Sequence, residues 1–128
     1  MPAYSDVKKD IERFKQSCRM YFTESTNVKQ YLQDNPWLAE PGTPNETTME
    51  ISIRHQYDKM VADTKEVEEW FDKIEQHEGI PARVLLWKYL VEGKTSRMIC
   101  EEYNMNNRQL QYIVKKWLYE TFVAELLG

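Results

Sequence analysis

The chain has 128 residues, of which 41% are hydrophobic and 30% are charged, and this composition is typical of one helix-rich domain with a core. Its net charge is −4, and its longest apolar-rich segment, residues 84–91, is interrupted by Lys88. That run is too short to cross a bilayer, and the first residues lack the apolar core of a secretion signal. We therefore expect a cytoplasmic protein that makes no membrane contact.

Cysteine and histidine are too sparse for an obvious metal site. The two cysteines, Cys18 and Cys100, fall in separate amphipathic segments, and neither His55 nor His77 lies at ligand spacing from a cysteine. The sequence also has no glycine-rich phosphate loop and no nucleophile elbow. We therefore expect no metal, no cofactor and no enzymatic activity.

Charge is distributed unevenly along the chain. Residues 1–78 contain ten Lys/Arg and sixteen Asp/Glu, whereas residues 79–116 contain seven Lys/Arg and three Asp/Glu, a net +4. The last twelve residues add two glutamates. A basic segment on an acidic support can bind phosphate although the overall charge is negative.

The first element is predicted to be a long amphipathic helix over residues 5–33, with Ser5 as its N-cap. Apolar or small residues recur every three or four positions, although the polar run 23–26 weakens the stripe; they are Tyr4, Val7, Ile11, Phe14, Cys18, Tyr21, Ser25, Val28 and Leu32. Three prolines and a glycine then predict a loop over residues 34–48. Trp37 and Leu38 are expected to pack back from this loop onto the helices.

A second stripe predicts a helix of matching length over residues 48–77. Its members are Ile53, Tyr57, Met60, Thr64, Val67, Phe71 and Ile74, with Trp70 beside them. Two matched helices joined by a loop favour an antiparallel hairpin, and residues 1–78 are interpreted as a dimerisation or partner surface. The alternative is that the stripes pair between chains, but a strong intermolecular coiled coil would contain more Leu and Ile.

Residues 79–128 are interpreted as a second, DNA-binding domain. Gly79 is suited to end the long helix and Pro81 to start the next one, a buried helix over 82–91 that ends at Glu92-Gly93.

A helix-turn-helix is predicted after it. Thr95 or Ser96 caps a helix whose apolar side is Met98, Ile99 and Tyr103, with Cys100 at the close approach of two helices. Asn104 is placed at the turn because asparagine tolerates the left-handed conformation, Met105 plugs the turn, and Leu110 and Ile113 face back. The fold class is therefore predicted to be all-α, a long helical hairpin with a C-terminal helix-turn-helix.

The last helix is expected to have an apolar face and an opposite face suited to DNA. At about 100° per residue, Ile113, Val114 and Trp117 lie near Leu110, whereas Arg108, Tyr112, Lys115 and Tyr119 lie opposite. No carboxylate occurs there before Glu120. The residues predicted to contact bases or the groove are Asn106, Asn107, Arg108, Gln111, Tyr112 and Lys115, flanked by Gln109. Those predicted to contact phosphates are Lys94, Ser96, Arg97 and Lys116.

Three segments resemble the RinA/ArpU-type late transcription activators of phages and prophages of Gram-positive bacteria. They are NPWLAEPGT (35–43), TTMEISI (47–53) and the block 84–126, which is also similar to region 4 of bacterial sigma factors. The resemblance implies that the segment corresponding to residues 106–116 contacts promoter DNA. It further implies activation of a late packaging and structural operon in the bacterial host, with host RNA polymerase as a partner. The acidic helical hairpin is interpreted as a surface for that polymerase or for a second copy of the chain in a homodimer.

Three alternatives remain open at this stage. A two-helix corner with a polar outer face also occurs in helical proteins that never bind DNA. A small terminase subunit, which recognises phage DNA for packaging, also combines a helix-turn-helix with a helical oligomerisation region. A helical protein-interaction module would use the two long stripes to bind a partner helix.

Overall fold

The computed structural model describes residues 4–128, with side chains from Asp6 onward, and this part of the chain is all-α, as predicted. The five α-helices found there are α1 (Tyr4–Asp34), α2 (Thr48–Glu78), α3 (Ile80–Leu86), α4 (Ser96–Tyr103) and α5 (Asn107–Leu127). A short 3-10 turn, Pro36–Ala39, follows α1, and a π-helical turn, Trp87–Val91, continues α3. Among these elements, no helix has the length and apolar character needed to cross a lipid bilayer.

Helices α1 and α2 pack against each other along their length. The hydroxyl of Tyr21 donates to Glu68 at 2.5 Å, and that of Tyr31 donates to Gln56 at 2.7 Å. The later residue of α1, Tyr31, contacts the earlier residue of α2, Gln56, so the two helices lie antiparallel. Helix α1 is continuous through the polar run 23–26 and begins at Tyr4. The side chain of Ser5, its predicted N-cap, lies outside the described residues.

Local signals set the ends of α2. The Thr47 hydroxyl accepts from the Glu50 N–H at 3.2 Å, and the Glu50 carboxylate accepts from the Thr47 N–H at 3.0 Å. This reciprocal capping box satisfies two backbone donors that a helix start leaves unpaired. At the other end Gly79 has φ 94°, a value that a side chain would disfavour, and its N–H donates to the Glu75 carbonyl.

The loop between α1 and α2 folds back onto the long helices, as predicted. Leu38 is buried, and the guanidinium of Arg54 lies 5.3 Å from the centre of the Trp37 ring. Arg54 also pairs with Glu46 at 2.7 Å and donates to the Glu40 carbonyl at 3.0 Å. One cation thus ties three parts of the loop to α2.

A single aromatic core joins the two predicted domains. Phe122 of α5 stacks on Trp70 of α2 with ring centres 3.9 Å apart and planes within 5°. Phe14 of α1 lies 5.6 Å from both Phe71 and Phe122. The predicted division after residue 78 coincides with the turn at Gly79, but the core crosses it.

Helix α3 and its π-helical turn connect the long helices to α4. Leu85 and Leu86 are buried, and the ring of Trp87 lies 5.0 Å from that of Phe71 and 5.2 Å from that of Tyr21. The predicted helix over 82–91 is thus present, but its second half is wound more widely than an α-helix. Gly93, at φ 70°, lies between this turn and α4, in a conformation that a side chain would disfavour.

Candidate nucleic-acid interface

Helices α4 and α5 are joined by a tight turn whose geometry follows from its sequence. The Thr95 hydroxyl caps α4 by accepting from the Met98 N–H at 3.2 Å. Asn104 ends α4 in the left-handed conformation, with φ 52° and ψ 53°, and is the one described non-glycine residue with positive φ. Asparagine adopts this conformation more readily than other residues with a side chain, which explains its place at the turn.

A second capping box starts α5. The Asn106 side chain accepts from the Gln109 N–H at 2.8 Å, and the Gln109 side chain accepts from the Asn106 N–H at 2.9 Å. Both residues were predicted to lie at the DNA. In the structure, the side-chain oxygen of each accepts a hydrogen bond at the helix start, and their amide NH₂ groups remain for a ligand.

The inner side of the pair is well packed. Ile99 and Leu110 are fully buried, and Cys100, Met105 and Ile113 are half-buried against the core, as predicted. The prediction for Met98 is wrong, because 52% of this residue is exposed. Helix α4 has only two turns, and Met98 lies about 100° from Ile99 on the side away from Cys100.

The outer face of α5, defined here as Arg108, Tyr112, Lys115 and Lys116, is exposed to solvent. Tyr112 is 66% exposed, and Tyr119 borders the face at 37%. Within the described chain no hydrogen bond or ion pair engages Arg108, Tyr112 or Lys115. Two cations and a phenol are therefore available to an external ligand.

Gln111 and Asn107, both predicted to contact bases, are partly engaged within the protein. The Gln111 amide donates to the Tyr89 hydroxyl at 3.1 Å and to the Asn107 side-chain oxygen at 3.4 Å. The same Tyr89 hydroxyl lies 3.3 Å from the hydroxyl of Ser96. This chain of polar contacts holds the starts of α4 and α5 in a fixed relation.

The predicted phosphate contacts on α4 lie beside the start of α5. Ser96, Arg97 and Asn107 line one shallow groove, and the Arg97 side chain is largely exposed while pairing with Glu101 at 3.2 Å. Lys94 is half-buried, and its backbone N–H donates to the Lys88 carbonyl at 3.0 Å. Ser96 and Arg97 are therefore brought together with α5, and Lys94 lies just before them in the chain.

The few carboxylates of the basic segment are mostly neutralised. Arg97 pairs with Glu101, and Lys88 pairs with Glu102 and holds the pKa of that carboxyl below its usual value through their hydrogen bond. At the far end of α5, burial and a hydrogen bond with Glu120 raise the pKa of Glu78 to about 7, while Lys116 opposes the rise. Glu78 therefore holds its proton up to near neutral pH.

Two cations of α1 adjoin α5, and sequence reasoning missed both. Lys15 and Arg19 line a groove of about 420 Å³ together with Gln111 and Lys115. A sum of charge over residues 1–78 hides them, because that segment is acidic overall. The spacing of Lys8, Lys15 and Arg19 could have revealed them, because it places three cations on one side of α1.

Cys18 lies in the core, and His77 lies at a contact between two helices. Burial raises the pKa of the Cys18 thiol to about 12, so this cysteine stays protonated inside the protein. His77 lies 2.7 Å from a carboxylate oxygen of Glu125, across the contact between α2 and α5. In the described part of the chain, no three His, Cys, Asp or Glu side chains are grouped as a metal site would require.

No protein-family model, curated protein or solved structure matches the chain. Its function is therefore inferred from the exposed side chains of α5, their charge and the helices that hold them.

Proposed function

We propose that the chain is a sequence-specific regulator of transcription that binds double-stranded DNA with α5 in the major groove. The observation that carries this proposal is the outer face of α5. Arg108, Tyr112 and Lys115 are exposed there without a partner among the described residues, on a helix with no carboxylate before Glu120. An ordinary solvated helix face in an acidic protein would more often mix both signs of charge.

The dimensions and chemistry of this face suit the major groove. An α-helix with its side chains is about 10–12 Å across, and the major groove of B-DNA is about 12 Å wide. In this arrangement Arg108 donates two hydrogen bonds to a guanine edge, Tyr112 packs on a sugar or donates to a phosphate, and Lys115 binds phosphate or guanine.

The start of α4 supplies phosphate contacts in the proposed complex. Ser96 at the start of α4 and the exposed side chain of Arg97 line the same groove as Asn107. Helix N-termini attract anions because their first N–H groups lack backbone partners and the helix dipole is positive there. The capping box at Asn106 supports the proposal in another way, since it holds the start of α5 rigid.

The resemblance to RinA/ArpU-type activators supports a cellular context for this binding. We propose that the protein activates a late operon of a phage or prophage from a site upstream of the promoter. The acidic outer surface of α2 is then available to a second copy of the chain or to host RNA polymerase.

Selection of bound fragments from a genomic DNA library tests the proposal. We expect enrichment of one site ahead of an operon that encodes capsid or packaging proteins, and affinity that falls steeply as salt increases. Failure of the purified chain to bind any duplex at low salt would exclude the proposal and favour a protein-interaction module.

Light scattering on the same sample tests the role of the binding. A monomer or dimer is expected for a regulator, because half-sites on DNA are matched by two-fold symmetry. A ring of many subunits would contradict regulation and indicate a small terminase subunit.

A further inference from the structure

The surface beside α5 is shared with α1, and it is basic. One groove of about 420 Å³ is lined by Lys15 and Arg19 on one side and by Gln111 and Lys115 on the other. A second, of about 350 Å³, continues along α5 and includes Lys8, Lys15, Lys115 and Lys116. Lys15 and Lys115 line both grooves, so the two are parts of one channel between the helices.

The cations of α1 lie on the side of the helix that borders this channel. At about 100° per residue, Lys8 and Arg19 fall about 20° and 40° from Lys15 around the helix axis. The other two cations of this stretch, Lys9 and Arg13, fall about 120° and 160° away. Arg13 instead lines the opposite groove beside Asp10 and pairs with it at 3.0 Å.

The charges of this strip remain available to a ligand. Arg19 donates to the neutral side chain of Gln16 at 2.8 Å, so no carboxylate offsets its charge there. The Lys15 ammonium lies 3.6 Å from a carboxylate oxygen of Glu12; the Lys15 side chain is 24% exposed and that of Glu12 is 58% exposed. This distance exceeds the length of a hydrogen bond, and a pair three residues apart on one helix is weak, so a phosphate can replace Glu12 beside Lys15. Glu120 lies at the far end of the channel and is held by Glu78.

We infer that Lys15 and Arg19 form a second DNA-contacting strip, which binds the phosphate strand beside the groove that α5 enters. This inference rests on the proposed function. When a helix occupies the major groove, the flanking phosphates pass along both of its sides, and an adjoining basic helix meets one of them. The strip contributes affinity and register, and it does not distinguish one base sequence from another.

Phosphate contacts are measured by the salt dependence of binding. The probe is a fluorescein-labelled duplex of random sequence, about 30 base pairs or roughly three helical turns long. Removal of one phosphate-binding cation reduces the slope of log K against log salt by about 0.9. We expect Lys15→Gln with Arg19→Gln to reduce the slope by about 2 and to weaken binding roughly 10- to 50-fold at about 0.1 M salt.

The matched control changes the other two cations of the same stretch of α1. Lys9→Gln with Arg13→Gln removes the same formal charge from the opposite sides of the helix, and it is expected to leave the slope unchanged. Equal effects of the two double variants would overturn the inference, because only net charge would then matter. Far-UV circular dichroism verifies that each variant keeps its helices.

A gain of affinity provides a test that does not depend on loss of function. Glu12→Gln frees Lys15 from its only described ion pair, and we expect binding to tighten by about 2- to 5-fold. Unchanged binding of both Glu12→Gln and the Lys15/Arg19 variant would refute the strip but leave the role of α5 intact. Absence of salt-dependent binding by the unmodified chain would instead refute both proposals.

Discussion

Arg54 and Arg108 both lie on helices next to loops, but their surroundings differ. Arg54 has a side chain that is 16% exposed, pairs with Glu46, bonds the Glu40 carbonyl and covers the Trp37 ring. Arg108 is exposed, and no hydrogen bond or ion pair within the described residues engages it. The first cation holds the loop to α2, whereas the second is free to bind something else.

The same contrast distinguishes the two regions of the molecule. On the long helices several cations pair with neighbouring carboxylates, as Arg13 does with Asp10 and Lys73 with Glu125. On the outer face of α5, Arg108 and Lys115 form no ion pair with a carboxylate among the described residues, whereas Lys116 lies close enough to Glu78 to lower its pKa. Net charge therefore says little about nucleic-acid binding, and the fraction of cations left without a carboxylate says more.

The largest effect is expected in the aromatic core that α1, α2 and α5 share. Phe122→Ala removes a ring that is 2% exposed and stacks on Trp70, and we expect it to lower the free energy of unfolding by about 3–5 kcal/mol. Urea denaturation followed by circular dichroism measures the change. Phe22→Ala, at a ring that is 52% exposed, is the control and should cost far less. If α1 and α2 stayed folded at the urea concentration that unfolds α5, the two regions would be independent.

The outer face of α5 is the next most sensitive point. Arg108→Ala with Lys115→Ala should weaken binding to a selected DNA site by about 100-fold, since a base-contacting arginine is worth about 1–3 kcal/mol and a phosphate contact adds to it. Helicity should not change, because both side chains are exposed. Titration of labelled DNA by fluorescence anisotropy gives the affinities. The control replaces two exposed lysines elsewhere, Lys29 and Lys65, with alanine. An equal loss of DNA affinity in that control would contradict a specific role for the outer face of α5.

For Arg54 we expect a loss of stability without a loss of DNA affinity, the opposite of the result for the outer face of α5. Arg54→Ala should lower the melting temperature by about 5 °C, because it leaves Glu46 without a partner and uncovers Trp37. DNA affinity measured well below the melting temperature should be unchanged. A variant that melts normally but binds DNA poorly would show that Arg54, and not Arg108, belongs to the binding surface.

The smallest effect is expected at the boundary between the regions. Burial and Glu120 raise the pKa of Glu78 from 4.5 to about 7, so the folded chain holds this proton more tightly than the unfolded chain does. The associated stability is present below pH 4.5 and is lost as the pH rises to about 7. Glu78→Gln should therefore raise the melting temperature by about 2 °C at pH 8 and change it little at pH 5. A larger rise in melting temperature at pH 5 than at pH 8 would contradict a raised pKa of Glu78 in the folded chain.

Much of the helical layout could be predicted from local patterns. The second long helix was expected over 48–77 and spans Thr48–Glu78, and the turn was placed at Asn104, where the backbone is left-handed. Such features depend on residues within about four positions of one another, namely the three-four apolar repeat, the capping residues and a residue that tolerates positive φ. The exposed side of α5 could be predicted for the same reason.

Contacts between distant segments could not be predicted in this way. Met98 was placed inside because the α4 pattern alone does not show how far α4 rotates against α5. The hydrogen bond of Gln111 to Tyr89 and the raised pKa of Glu78 beside Glu120 depend on helices that meet only after folding. The same holds for Lys15 and Arg19, which counted toward an acidic segment until α1 was placed beside α5.

The ends of most helices and the apolar side of each can be located from the sequence, since those properties arise from neighbours along the chain. Which charges stay free, and which helices adjoin the outer face of α5, depends on how the folded helices pack. The physical reason is that a charge is neutralised or left exposed by the groups that pack against it, and packing follows from the angles and rotations of whole helices.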